Sequence, residues 1–254
     1  MSKRERLTSV LRRLDRGILS LLFPEGVTCL CCGRSPQGDM DGCICPACAL
    51  ALEELGAKQE TLEEQGAYEP VEGLAFVHAA YLYEDPARAL IRALKYDRNQ
   101  SAASPLIAAM ALLPSGEEEL LVPVPTTRRR LKERGFNQSL LLSQGIGRAL
   151  GMPVDDVLER VGEQQAQSSL SGRDRLSNLA GCMRAKKRLD GRRILLIDDV
   201  YTTGATAREA ARALMEAGAF SVGVFAAARA IPETEQPPFL YNARYKRRIE
   251  AKDA

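Results

Sequence analysis

The chain has 254 residues, of which 45% are apolar, and this is enough for one large α/β domain with a small appendage. Its formal net charge of only +2 argues against a generic binder of polyanions. No stretch is long enough to form a transmembrane segment, and no secretory cleavage site follows the short apolar run 18–23, so we expect a cytoplasmic protein.

Residues 1–26 predict an amphipathic helix. Apolar residues recur there at helical spacing, and arginines occupy the other faces. The apolar positions are Leu7, Val10, Leu11, Leu14 and Ile18. We expect this helix to dock onto its own protein rather than onto a membrane, and Pro24 and Gly26 to end it.

Residues 27–70 contain six of the seven cysteines and predict a metal-binding knuckle followed by an acidic helix and a linker. Two C-x-x-C pairs stand twelve residues apart, namely Cys29 with Cys32 and Cys45 with Cys48. Four thiolates satisfy tetrahedral zinc, and a closed site of this kind is structural. Cys31 and Cys43 could each replace one of the four, whereas the isolated Cys182 is expected in the core.

Residues 73–232 alternate between short apolar runs and helical patterns, which predicts a parallel, mostly buried sheet flanked by helices. Residues 74–83 are expected to form a strand or a hairpin, and further strands are expected at 120–124, in the run ending at 197, and at 220–228. The expected helices are 86–95, 104–112 and 138–150. His78, the only histidine, lies in the first strand and is given a packing role. Residues 233–254 form a basic tail.

Two adjacent acids, Asp198 and Asp199, follow the apolar strand 194–197 and precede a small, hydroxyl-rich loop and a helix. A helix start offers unpaired N–H groups and a positive dipole end, which attract phosphate. Because like charges repel, the acids are better suited to accept hydrogen bonds from two sugar hydroxyls. P-loop nucleotidases also place acids after such a strand, but the G-x-x-x-x-G-K-[ST] loop that they require is absent from this sequence.

A basic segment follows the strand 120–124 and ends at Gly135, before the next helix. Its cations are Arg128, Arg129, Arg130, Lys132 and Arg134. On a mobile loop they could stabilise a departing pyrophosphate and close over a site. The alternative is a solvated basic loop without a ligand.

The segment 192–206 resembles the phosphoribosyl pyrophosphate (PRPP) signature of type I phosphoribosyltransferases. The resemblance implies that Asp198 and Asp199 bind the ribose hydroxyls, with Mg²⁺ accompanying PRPP. It implies a phosphate loop made of Thr202, Thr203, Gly204, Ala205 and Thr206, and a pyrophosphate loop made of Pro125, Thr126 and Thr127. Arg128 and Arg134 would then belong to a hood over the site, and they join the two acids as candidate catalytic residues.

The order of motifs along the chain also resembles the ComF/GntX proteins of bacteria. Those motifs are the C-x-x-C pairs, I-R-A-L-K-Y, V-P-V-P, E-R-G-F-N-Q, R-L-S-N-L and D-D-V-Y-T-T-G-A-T. The resemblance implies a zinc-binding region on a type I phosphoribosyltransferase domain, and a link to uptake of single-stranded DNA in naturally transformable bacteria. The polar residues within 164–178 could close the site wall.

Three functions remain open from the sequence. The first is transfer of a phosphoribosyl group from PRPP to an unknown acceptor. The second is a non-catalytic module that binds PRPP, a nucleotide or single-stranded DNA, although aromatics are only 5% of the chain and tryptophan is absent. The third is a scaffold that docks a DNA-uptake helicase or translocation partner.

Overall fold

The structure, a computed structural model, describes residues 28–34, 42–97, 99–161 and 181–231. The expected helix in 1–26, the polar segment 164–178 and the basic tail 233–254 lie outside the described residues. Among the residues that are described, no helix is both long enough and apolar enough to span a membrane.

Helices and strands alternate along the chain, as the sequence predicts. The helices are α1 (Pro46–Glu64), α2 (Ala87–Tyr96), α3 (Ala103–Met110), α4 (Arg128–Arg134), α5 (Gln138–Leu150) and α6 (Ala205–Glu216). The strands are β1 (Phe76–Leu82), β2 (Leu120–Pro123), β3 (Leu158–Arg160), β4 (Met183–Ala185), β5 (Arg193–Tyr201) and β6 (Ser221–Arg229).

Four strands form a parallel sheet in the order β1-β6-β5-β2, and β3 pairs with β4 in a separate antiparallel ribbon. Strand β5 is therefore central, with Leu196 opposite both Val122 of β2 and Val224 of β6. The run Ile194–Ile197 is completely buried, because a parallel sheet covered on both faces needs apolar residues on both. The predicted α/β class with a parallel sheet is confirmed.

Helices cover the sheet on both faces and produce two apolar cores. One core joins Leu195 and Ile197 of β5 to residues of α1, α2, α3 and α5. The other joins Ile194 and Leu196 to α6 and to the β3-β4 ribbon. Alternate residues of β5 thus face different helices, and the carboxyl end of β5 opens between the two layers.

Helix α1 is longer and better packed than the predicted acidic helix and linker. It has 19 residues and buries Leu52, Leu55 and Leu62 in the same core as β1. Near its end, Glu63 Oε2 lies 2.8 Å from His78 Nδ1, and Glu63 Oε1 accepts a hydrogen bond from the backbone of Ala79. Although burial opposes it, these bonds lower the pKa of Glu63. His78 packs and pairs within the fold, in line with the role predicted for it.

The prediction of a basic loop over residues 128–134 is wrong, because this segment is helix α4. Thr127 caps it by accepting a hydrogen bond from the Arg130 backbone at 3.2 Å, and Gly135 ends it at φ 85°. None of the residues of α4 is buried, so the helix needs no apolar face and the sequence shows no apolar periodicity there. The threonine cap and the glycine were the signals that could have found it. Strands β3 and β4 were also missed, since three residues are too few to show a period.

Candidate active site and metal centre

The two acids lie at the carboxyl end of β5, where three elements converge. Asp198 Oδ1 accepts hydrogen bonds from the Asp199 backbone at 2.8 Å and from Ser139 Oγ, in the first turn of α5, at 3.3 Å. Asp199 Oδ1 lies 2.8 Å from Nζ of Lys95, in the last turn of α2. Only 14% of the Asp199 side chain and 16% of the Lys95 side chain are exposed. The acid pair is therefore held from α2 and α5 at a partly enclosed strand end.

The surroundings of Asp198 disfavour its ionised form. Burial and the neighbouring charge of Asp199 raise the pKa of Asp198 to about 7, against the opposing effects of the Asp199 amide, Lys95 and Ser139. Near neutral pH the pair thus carries less than two full negative charges. A hydrogen-bond donor or cation that arrives beside Asp198 favours its ionised form.

The loop after β5 turns into α6 through Gly204, which has φ 72° and occupies the N-cap position. A Cβ at this position would collide with the Tyr201 side chain, so the turn requires glycine. Thr202 and Thr203 are exposed on the loop, and Arg208 Nη2 donates to the Thr203 carbonyl at 3.0 Å. The first N–H groups of α6 have no acceptor within the helix. Loop and helix start can therefore receive an anion.

The segment after β2, from Pro125 to Thr127, is anchored from two sides. Asn137 Nδ2 donates to the Val124 carbonyl at 3.1 Å, and Arg160 Nε donates to the Pro125 carbonyl at 2.9 Å. Burial lowers the pKa of the Arg160 guanidinium. Sequence reasoning missed Arg160, because nothing in the local pattern of β3 shows that its side chain reaches the segment after β2.

The structure brings only part of the predicted basic segment to this site. Arg128 is exposed in the first turn of α4. Arg134, in the last turn, donates from Nη1 to Gln138 Oε1 at 3.0 Å, and its Cζ lies 5.5 Å from the centre of the Tyr96 ring. Arg134 is therefore connected to α5 and to the end of α2, beside Lys95.

Four cysteines form a cluster that can hold a metal ion, namely Cys29, Cys32, Cys45 and Cys48. Their Sγ atoms all lie within 4.8 Å of one another. Zinc–sulfur bonds of about 2.3 Å in a tetrahedron place the sulfurs about 3.8 Å apart. The separation between the sulfurs of Cys32 and Cys45 is 3.9 Å, so the cluster fits zinc. Although burial opposes it, hydrogen bonds from neighbouring backbone N–H groups lower the pKa of Cys29 to about 6. Burial and the neighbouring thiols raise the pKa of Cys48, so a metal ion has to displace the proton of that ligand.

The two spare cysteines lie outside this cluster. The sulfur of Cys43 is buried and donates to the Ser101 carbonyl at 3.5 Å. Cys31 packs against the apolar core, and burial raises the pKa of its thiol. Cys43 is thus directed away from the cluster, whereas the Cys31 thiol still interacts with Cys29 without joining the four sulfurs that lie together. Cys182 is buried in the core as predicted.

Comparison with known proteins agrees with the fold. Residues 137–242 match the phosphoribosyl transferase domain family. Competence protein ComFC of Bacillus subtilis is 30% identical over 214 residues, a match that covers 82% of this chain and 86% of that protein. This chain belongs to the ComF family. A second relative, DNA utilization protein YhgH of Escherichia coli K12, is 35% identical over 162 residues, which cover 59% of this chain and 70% of that protein.

Among solved structures, the glutamine PRPP amidotransferase of Bacillus subtilis matches part of this chain. It is 20% identical, with a TM-score of 0.36, and the match covers 53% of this chain. The chain spans only 26% of the length of that enzyme. The ComF protein described here has a type I phosphoribosyltransferase fold, with a cysteine cluster near its N-terminus that could bind zinc.

Proposed function

We propose that this ComF protein binds PRPP at the carboxyl end of β5 and transfers its phosphoribosyl group to an acceptor in the service of DNA uptake. One observation carries the proposal. Strand β5 carries Asp198 and Asp199 after its buried run and two residues before its end at Tyr201, and a glycine-capped helix start follows within a few residues. Relatives that are named for competence and for DNA utilization support the biological setting.

We assign a part of the ligand to each group. The carboxylates accept hydrogen bonds from the two ribose hydroxyls, which are donors and carry no charge. The phosphate takes the first N–H groups of α6, where the helix dipole favours an anion. Lys95 offsets part of the negative charge of the acid pair, so that a polyanionic ligand can approach it.

The chemistry is a displacement at C1 of the ribose. The C1–oxygen bond breaks with its electron pair on pyrophosphate, while a lone pair of the acceptor nitrogen forms the new bond and the nitrogen then loses a proton. Cations and N–H groups around Pro125–Thr127 and Arg134 stabilise the departing charge. Mg²⁺ would neutralise phosphoryl oxygens and would be held mainly by oxygens of the ligand itself.

Titration calorimetry with PRPP and Mg²⁺ tests the binding. We expect wild type to bind and Asp199→Asn to bind at least about tenfold more weakly, since a charge-assisted hydrogen bond is lost. Asp156→Asn, which removes an exposed acid beyond α5, is the control and should bind as wild type does. Equal binding by wild type and Asp199→Asn would remove the basis of the proposal. Release of pyrophosphate with a panel of amines, nucleobases and single-stranded DNA then tests turnover.

We propose further that Cys29, Cys32, Cys45 and Cys48 hold one structural Zn²⁺. A centre with four thiolates has no open position for a substrate, so its contribution is to folding. The metal centre lies at the start of α1, and α1 packs on β1. The ion would therefore hold the N-terminal knuckle against the sheet.

A second candidate function is binding of single-stranded DNA without chemistry. Two observations favour it, namely the exposed cationic surface of α4 and the Tyr96 ring, which is 68% exposed beside Arg134. Cations that follow a backbone and rings that stack on bases are the usual elements of such sites. Fluorescence anisotropy with a labelled single strand at two salt concentrations tests it, and no binding at low salt excludes it.

A further inference from the structure

A ring of contacts surrounds the acid pair on the side of α2 and α5. Asp199 pairs with Lys95, which precedes Tyr96 in the chain. The Tyr96 ring meets Arg134, and Arg134 donates to Gln138. Ser139, the next residue, donates to Asp198 and closes the ring. Three elements, α2, the end of α4 and the start of α5, thus meet around one end of β5.

Gln138 is the unusual member of this ring. Its side chain is buried, with 2% of the residue exposed. A guanidinium can only donate, so the atom facing Arg134 must be the amide oxygen, and this fixes the orientation of the amide. The amide nitrogen then has no hydrogen-bond partner among the described residues. A buried donor without an acceptor costs free energy, and such groups need an explanation.

The charges in this ring of contacts indicate the kind of acceptor that the donor would take. Lys95 and Arg134 are cations, and Gln138 is the first residue of the 13-residue helix α5, whose dipole is positive at this end. The two carboxylates of the ring already accept hydrogen bonds from Lys95, Ser139 and the Asp199 backbone. An oxyanion therefore suits this position better than a neutral group.

We propose that Gln138 is a ligand-binding residue with two roles. Its nitrogen donates to a phosphoryl oxygen at the pyrophosphate end of the ligand, and its oxygen holds Arg134 beside the same group. The inference rests on the proposed function, since it assumes that PRPP is the ligand. It adds a residue that recognises pyrophosphate and is separate from the acids that bind the ribose.

Two probes separate these parts of the ligand. Inorganic pyrophosphate with Mg²⁺ occupies only the subsite assigned to Gln138, whereas ribose 5-phosphate carries the hydroxyls and the phosphate of the other half. We expect Gln138→Met, which keeps the length of the side chain, to weaken pyrophosphate binding by about tenfold or more. Binding of ribose 5-phosphate should stay within about twofold of wild type, as for any hydrogen bond that the ligand does not make.

A second variant keeps the test valid if the methionine protein does not fold. Gln138→Glu retains an oxygen for Arg134 and replaces the donor with a negative charge. It should weaken pyrophosphate binding more than the methionine variant does, because it adds repulsion. Gln144→Met, an exposed substitution on the same helix, is the control and should bind both probes as wild type does.

The outcomes distinguish the two proposals. If wild type binds neither probe, the proposed function fails. If wild type binds both, and both variants bind pyrophosphate as wild type does, Gln138 has no role in recognition and the inference is overturned. An equal loss of both probes also overturns it, because that result marks a residue that only supports the fold.

Discussion

Lys95 Nζ and Asp199 Oδ1 lie 2.8 Å apart and join the last turn of α2 to the carboxyl end of β5. Both side chains are mostly enclosed, so water screens this pair less than it screens a surface ion pair. The Lys95 charge also acts on Asp198, whose pKa it lowers against the effects of burial and of Asp199. One cation therefore offsets the charge of two acids.

Removing this cation should destabilise the fold. For Lys95→Met we expect a decrease in the free energy of unfolding of about 2–3 kcal/mol, somewhat below the cost of breaking a fully buried pair. The control Lys187→Met breaks the ion pair of Lys187 with Asp155. The side chains of these two residues are 58% and 35% exposed, so the change should lower the free energy of unfolding by only about 0–1 kcal/mol. Urea denaturation at pH 7 measures both. If Lys95→Met lowered the free energy of unfolding no more than Lys187→Met does, the electrostatic role of Lys95 would be contradicted.

The pKa of Asp198 predicts a pH dependence of stability. The folded state raises this pKa from 3.8 to about 7, so folding favours the protonated carboxyl. The stabilising contribution is fully present below about pH 4 and is lost as the pH rises through about 7. We expect the free energy of unfolding of wild type to fall relative to Asp198→Asn over this range.

Denaturation curves of both proteins at pH 4, 5.5, 7 and 8 measure this difference. The titrating groups that do not interact with Asp198 are common to the two proteins and cancel in the comparison. A difference that stays constant with pH, or that changes in favour of wild type as the pH rises, would show that Asp198 ionises normally.

Gly204 should tolerate no side chain. At φ 72°, Gly204→Ala adds the cost of a left-handed backbone, about 1 kcal/mol, and the collision with Tyr201 adds roughly 1–3 kcal/mol more. Gly151→Ala is a close control, since Gly151 has φ 71° and a Cβ there meets nothing within 4 Å. Thermal denaturation compares them. If the two variants lost the same stability, the Tyr201 side chain would be able to move away from the added Cβ without a cost in free energy.

Substitutions of different cysteines should differ in their effect on the metal content of the protein. We expect Cys45→Ser to lose most of its zinc in a chelator competition, because it removes one of four ligands. Cys43→Ser should retain one ion per chain, since Cys43 Sγ is directed at the Ser101 carbonyl. Elemental analysis by mass spectrometry after dialysis gives the stoichiometry. Loss of metal from the Cys43 variant would return this residue to the ligand set.

Local patterns were sufficient where a residue's role depends on its neighbours in the chain. The run 194–197 predicted a buried strand because parallel sheets need apolar residues on both faces. The spacing of the cysteine pairs predicted the cluster, since a C-x-x-C turn brings two sulfurs together whatever surrounds it. The domain boundaries and the ligand roles of the site residues stay predictions.

Tertiary contacts decided what distant segments do to one another. The predicted helices end at Lys95 and start at Gln138, but only the fold brings Lys95 and Ser139 to the acids of β5. Arg160 reaches the Pro125 carbonyl from a strand too short to recognise. The sequence by itself determined the strand, the loop and the paired acids, because those follow from local chemistry. The charge of the acid pair was decided by the fold, because burial and approach of Lys95 depend on how separate elements pack.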